Sequence, residues 1–275
     1  MKQSIVFLFA LCGLFLLQSC EKETDLANDD FEALGAPELP NLDLFTVPVS
    51  SFEEIQNDKS LTKSNTKWHW LHAGLNILGW NTAVVANLAI PVAAIGEAFN
   101  QEYEYLGEGI YEWAYRYDGP RRESFQVNLQ GAYLSTEDEI GWTLRLTDIN
   151  SGESFVWLTG KTMPFASEFV IYQNPEEPNV AVSLTTTVDP NSEDRTTTRF
   201  TNINPNRLED GYYVEYRQTP DALYNRSYEV FRTDEDFLQI ELNEPAGDGR
   251  VRHLSHYGDN NWRCWDVEQN DVDCE

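Results

Sequence analysis

Over most of its length the chain alternates apolar and polar residues with a period of two. Phe125, Val127 and Leu129 alternate with Gln126, Asn128 and Gln130, and Ile140, Trp142, Leu144 and Leu146 with Gly141, Thr143 and Arg145. Such alternation marks antiparallel strands that bury one face and wet the other. Similar stretches run at 111–117, 154–159, 168–173, 180–188, 196–203, 211–218, 224–232, 236–242, 250–257 and 261–266, which brings the count to twelve. Turn-forming clusters such as Asn150-Ser151-Gly152, Asp189-Pro190-Asn191, Pro245-Ala246-Gly247 and Gly258-Asp259-Asn260 separate them. Strands joined by short turns with no helix between them cannot form a parallel sheet. The pattern predicts a mainly β fold, a long antiparallel meander of about twelve strands, as a curved sheet or a barrel-like closure.

Before the strands the period is helical. From Trp68 to Gly96 there are 29 residues without a formal charge, and Leu75, Leu78, Val85, Leu88 and Val92 recur at roughly helical spacing. Asn76, Asn81 and Asn87 argue against a membrane span. Gly74, Gly79 and Pro91 argue against one straight helix, since proline removes a donor and clashes with the preceding turn. Two short helices at about 70–100 are expected, the second capped by Asn81 and beginning at Thr82, both packed on the sheet.

The first twenty residues carry a different pattern: Lys2, a thirteen-residue apolar run from Ile5 to Leu17, then Gln18-Ser19-Cys20. That segment resembles the signal peptide of a bacterial lipoprotein precursor. The resemblance implies removal of residues 1–19, acylation of Cys20 and attachment to a lipid bilayer. Glu21-Lys22-Glu23-Thr24-Asp25 is similar to the short acidic signal that directs some Gram-negative lipoproteins to the outer face of the outer membrane, so surface exposure is the expected location. Residues 20–66, acidic and carrying Pro37, Pro40 and Pro48, read as a tether, with Leu42–Phe52 apolar enough to dock as an edge strand. Residues 67–275 are then a single β-rich domain.

Charge and cysteines narrow the picture. A net charge of -27 excludes a nucleic-acid partner, which demands clustered Lys and Arg to release counterions. Of four cysteines, Cys12 leaves with the signal peptide and Cys20 takes the lipid, so Cys264 and Cys274 remain in an oxidising compartment. One disulfide is expected, worth about 2.5 to 3 kcal/mol for so short a loop; two free or metal-bound thiols are the alternative. The helical stretch ending in Ile90-Pro91, then Tyr111-Glu112-Trp113, Gly141-Trp142, Phe155-Val156-Trp157 and Trp262-Arg263-Cys264-Trp265-Asp266 with Cys274, resembles an uncharacterised family of surface-type lipoproteins. The resemblance, over about residues 70–275, implies this architecture and a terminal disulfide, and no activity.

Candidate chemistry is sparse. His253 and His256 lie within a stretch read as strand, where a spacing of three sends side chains to opposite faces. His69 and His72 share a helix face without a third ligand nearby, so neither pair is assigned as a metal site. Asp189–Asp194 and Asp266–Asp273 are read as solvated acidic turns rather than calcium loops, because the former lacks the glycine and terminal glutamate of such a loop. No Gly-x-Ser-x-Gly and no free Cys–His pair stands in the chain. Trp113, Tyr115, Tyr117, Trp142 and Trp157 are read as core and cross-strand pairs before any glycan platform. No catalytic residue and no cofactor is assigned. The expected function is an anchored, non-catalytic binding or structural module whose partner is a glycan, an apolar ligand or a protein. A carrier enclosing an apolar ligand and a hydrolase of extracellular polymer are the alternatives.

Overall fold

The computed structural model describes residues 28–57, 66–119, 124–134, 136–172, 180–202, 210–220 and 222–274. The signal peptide, Cys20 and the 21–25 acidic motif lie outside them. The fold class is as expected: mainly β, one antiparallel meander with a helix packed on it near the N-terminus. Among the described residues there are fourteen strands, each hydrogen-bonded to its neighbours in sequence, and the first and last do not pair, so the sheet is curved but open. They are β1 (Glu104–Gly107), β2 (Ile110–Asp118), β3 (Ser124–Tyr133), β4 (Ile140–Asp148), β5 (Ser154–Met163), β6 (Ala166–Tyr172), β7 (Val180–Asp189), β8 (Ser192–Asn202), β9 (Tyr213–Gln218), β10 (Arg226–Thr233), β11 (Asp236–Leu242), β12 (Gly249–His253), β13 (Arg263–Trp265) and β14 (Asp271–Val272). β1 and β14 are the two beyond the twelve expected; with four and two residues they are too short for periodicity to register.

Three expectations near the N-terminus are corrected. Helices α1 (Asn28–Leu34) and α2 (Glu53–Asn57), with 3₁₀ turns at Leu42–Phe45 and Ser50–Phe52, cover much of the stretch read as tether. Phe45, Val47, Phe52 and Ile55 are buried in the common core and Phe31 is buried against Tyr133, so this stretch belongs to the domain. Leu42–Phe52 docks, but as 3₁₀ turns and not as an edge strand. The two short helices are one, α3 (Trp68–Ala98), with Pro91 inside it and Asn81 in mid-helix instead of at a cap. Burial overrides local propensity here. A Cβ on Gly74 would stand 2.3 Å from Ile55 Cδ1 and 2.7 Å from Phe52 Cδ1, so that glycine is where the N-terminal segment presses on the helix. On either side of Pro91, Leu88, Ala94 and Ile95 are buried and hold the helix to the sheet.

α3 touches β2 and β3 near the start of the meander and β12 to β14 at its end, so the curved sheet brings both of its ends to one helix. Trp70, Leu71, Ile77, Val84 and Leu88 meet Trp113, Leu129, Leu144, Leu184 and Ile240 in a continuous apolar interior. On the inner face, glycines and large rings alternate across β3 to β6: Gly131 pairs with Trp142, Trp142 with Gly160, and Gly160 with Phe169. Each ring lies over the bare backbone of its neighbour, the way sheets fill the space a glycine leaves. The opposite face is polar. Arg199, Glu215, Glu229, Gln239 and Arg252 stand in one row across β8 to β12. Arg199 Nε donates to Glu215 at 2.7 Å, Gln239 to Glu229 at 3.1 Å and Arg252 Nε to Gln239 at 2.6 Å, with Arg217 bridging Glu215 and Glu229. Cross-strand pairs of opposite charge suit a wetted face.

The Cys264 and Cys274 sulfurs lie at bonding distance, 2.10 Å. They hold β14 against β13 at the chain's end.

The glycine–ring packing gives a direct test. Gly160→Ala would set a methyl 2.1 Å from Phe169 Cδ1 and 2.7 Å from the Glu168 carbonyl oxygen. We expect a loss of about 1 to 3 kcal/mol in urea unfolding, against no measurable loss for Gly79→Ala, which meets open space.

Candidate functional site

The chain has four histidines, and the structure brings all four together. The assembly begins at the N-terminus of α3, whose cap position, Lys67, makes no side-chain capping bond. Asp271 of β14 supplies it instead: its carboxylate accepts from the backbone N–H of Trp68 at 3.1 Å and of His69 at 2.9 Å. Asp271 N–H in turn donates to the Thr66 carbonyl. An anion there satisfies orphan donors and complements the helix dipole. With the first turn fixed, His69 and His72 point from one helix face, as their spacing predicts.

The other two histidines correct the sequence reading. β12 ends at His253, and Leu254–Tyr257 form a single helical turn, α4, closed by Gly258 in the left-handed conformation at φ 76°. The strand premise that sends His253 and His256 to opposite faces therefore fails, and their rings are stacked with centroids 6.1 Å apart. His256 stacks on His72 at 3.7 Å, and His72 lies 5.2 Å from His253. Tyr257 packs edge-on against His69, His72 and His256.

A closed ring of polar contacts runs through the group. His72 Nε2 and His253 Nδ1 are 2.9 Å apart, and His253 Nε2 lies 2.6 Å from Asp236 Oδ1. Asp236 Oδ2 accepts from Arg232 at 3.3 Å, Arg232 donates to Asn76 Oδ1 at 3.1 Å, and Asn76 donates to the His72 carbonyl at 2.9 Å. The ring ties α3 to β10, β11 and β12. It also assigns the protons: the Asp236 carboxylate takes the Nε2–H of His253, leaving Nδ1 to accept from His72 Nε2–H.

Burial works against a charge on three of the imidazoles. Burial first, then the neighbouring His256, His253 and His69 and the Arg232 cation, push His72 down to about 3. Burial first, then His253 and His69, also lower His256. Burial lowers His69 against the pull of Asp271, with Arg263 adding to the lowering. At Asp236 burial opposes ionisation, but hydrogen bonds from His253, Ser255 and Arg232 outweigh it and hold the carboxyl below its ordinary range.

Neutral imidazoles are potential metal ligands, yet here the two facing nitrogens share a proton with each other. Among the described residues no group of three or more His, Cys, Asp or Glu is arranged to hold a metal. Nor is this a nucleophilic triad. Ser255 Oγ, 2.9 Å from His253 Nε2 and 3.1 Å from Asp236 Oδ1, shares one imidazole nitrogen with the carboxylate, whereas a serine nucleophile needs the opposite nitrogen. What the group does is fasten the start of α3 to the β11–β12 corner.

The other candidates are spent structurally. Asp189 Oδ1 accepts from the Asn191 backbone and Asp266 Oδ1 from the Glu268 and Asn270 backbones, each closing its own turn. Trp113, Tyr115, Trp142 and Trp157 are core residues, and Tyr117 packs partly buried beside them. Between the middle of α3 and β7–β8, a cavity of about 90 Å³ is lined by Trp80, Val84, Ala181 and Phe200 among others. A wider open groove of about 420 Å³ runs between Pro37–Leu44 and the strands carrying Tyr133, Ile140, Thr162 and Ser167, with Glu38 and Glu137 at its sides. Comparison with protein-family models, with curated proteins and with solved structures gives no match for this chain.

The lowered histidines make stability acid-sensitive. An unfolded imidazole titrates near 6.5 and folded His72 near 3, so between these values the unfolded chain binds a proton that the folded chain refuses. The contribution is whole above pH 6.5 and declines as pH falls toward 3. We expect the urea midpoint to drop from about pH 7.5 to about pH 5, and to drop less in His72→Gln than in the parent; equal slopes for the two proteins would contradict this assignment.

Proposed function

We propose that the protein is a lipid-anchored envelope lipoprotein, displayed on the outer membrane and acting as a non-catalytic binding module. The anchor reading is supported by the Lys2, Ile5–Leu17 and Ser19-Cys20 sequence, and an oxidising location is supported by the paired Cys264 and Cys274 sulfurs. One observation carries the binding reading: the cavity of about 90 Å³ beside α3 is too small for a carried ligand, whereas the open groove at Pro37–Leu44 falls in the size range of ligand sites. Its lining joins apolar Pro37, Leu39, Leu44 and Ile140 to the hydroxyls of Thr162 and Ser167 and the carboxylates of Glu38 and Glu137. That mixture favours a ligand with both apolar and hydroxyl surface, a glycan above all, over a purely apolar one.

Mass spectrometry of the native protein should find a di- or triacyl group on Cys20, Cys20→Ser should leave the membrane fraction, and unpermeabilised cells should bind an antibody to the domain. On an array of neutral glycans, Glu38→Arg/Glu137→Arg should bind at least about tenfold more weakly than the parent, since both side chains are exposed at the groove. A chain that keeps Met1, carries no lipid and fractionates with the cytosol would overturn the anchor; unaltered glycan binding by the variant would overturn the groove.

A further inference from the structure

We infer that the solvent-facing side of α3, with the aromatic corner that follows it, lies on the bilayer to which the chain is anchored. This inference rests on the anchor at Cys20 proposed above.

The length of the link carries it. If residues 20–66 were all tether, the domain would stand well clear of the lipid. The described fold begins at Asn28, and Phe31 is already buried in the domain. From Cys20 to Asn28 the chain can reach at most about 28 Å however it is arranged. The domain is therefore kept close to the membrane surface, within reach of the headgroups.

The entry point selects the face. Phe31 carbonyl oxygen accepts from Tyr111 Oη at 2.8 Å, and the Tyr111 ring packs edge-on against Tyr103, 5.6 Å away. Tyr103 lies five residues beyond the end of α3 at Ala98. Phe99 and Tyr103 are 53% and 52% exposed although both are large and aromatic. Along α3, Leu75, Val85, Ala86, Ala89 and Ala93 face solvent, inside the 29-residue stretch without a formal charge. The helix is long and apolar enough to cross a membrane by composition, yet its other side is packed into the core, so what it can offer to lipid is its outer face alone. The outer face of the sheet carries the charged Arg–Glu row instead. An uncharged helix face flanked by aromatics suits the boundary between headgroups and acyl chains. In a chain of net charge -27, with Glu97, Glu102 and Glu104 beside the corner, the attraction is apolar, and the surface it fits is zwitterionic rather than anionic.

The test uses the acylated protein in phosphatidylcholine vesicles containing a nitroxide-labelled phosphatidylcholine, with a bimane fluorophore on Ala89→Cys, Phe99→Cys or, on the outer sheet face, Thr185→Cys. All three positions are exposed, so folding should survive. Lipid quenching at 89 and 99 is expected to exceed that at 185 by at least about threefold, unaffected by added salt. Protein that floats with the vesicles but is quenched equally at all three sites would overturn this inference and leave the anchor standing. Protein that does not float would overturn both. The soluble Cys20→Ser form is expected to sediment as a monomer; a dimer that Leu75→Glu/Val85→Glu dissociates would give the face to a second copy and overturn the inference.

Discussion

An open sheet of fourteen strands creates one large apolar face, and that face must be kept from water. Everything else in the structure is arranged around this demand. The curl of the sheet turns the face inward, α3 lies across it, and the segment from Phe31 to Ile55 covers what the helix leaves. Because β2 and β3 meet one part of α3 and β12 to β14 another, the helix does for this sheet what hydrogen bonds across a seam do for a closed barrel. A barrel closes through its backbone; this domain closes through side chains.

Such a closure needs the helix held in register, and the polar groups do that at its N-terminus. Asp271 is placed by β14, and β14 by the Cys264–Cys274 pair, so residues 264–274 hold the N-terminus of α3 in place. From there the ring of His72, His253, Asp236, Arg232 and Asn76 ties the helix to three successive strands. Apolar packing along α3 has little directional preference, whereas this ring admits one arrangement of its donors and acceptors. Within it burial keeps His72 neutral, whereas hydrogen bonds from His253, Ser255 and Arg232 outweigh burial and keep the Asp236 carboxylate ionised.

The strands were readable because a sheet with one wet face writes its geometry into every second residue. The row Gln126, Asn128, Gln130 against Phe125, Val127, Leu129 needs no partner to be recognised. The helix was readable as apolar but not as continuous, since the meaning of Gly74 depends on Phe52 and Ile55 and the tolerance of Pro91 on the core beneath it. The same dependence hid the docking of residues 28–57, whose acidic residues describe their outer side and whose aromatics, with the buried Pro37 and Pro40, describe the inner. The candidate site was the least legible. His72 and His253 are separated by 181 residues, and no local pattern encodes that encounter. One sign was present: two His-x-x-His pairs account for every histidine in the chain, and Gly258 directly after Tyr257 is the mark of a helical turn ending there. Read so, 250–257 is a strand that stops at His253, and the second pair faces one way. The absence of a second such cue in the acidic turns agrees with their carboxylates being used up by their own backbones.

The two extremities of the meander are unlike its middle. β1 has four residues, its pairing with β2 slips between Tyr105 and Gly107, and Glu108 beyond it takes a positive φ of 53°. β14 has two residues and is cinched to its neighbour by a sulfur bridge. Neither offers the long, flat row of free amides and carbonyls along which a second molecule might zip. An unclosed sheet of this width is thus blunted against runaway fibril growth at both ends, and molecules crowded side by side can remain individual.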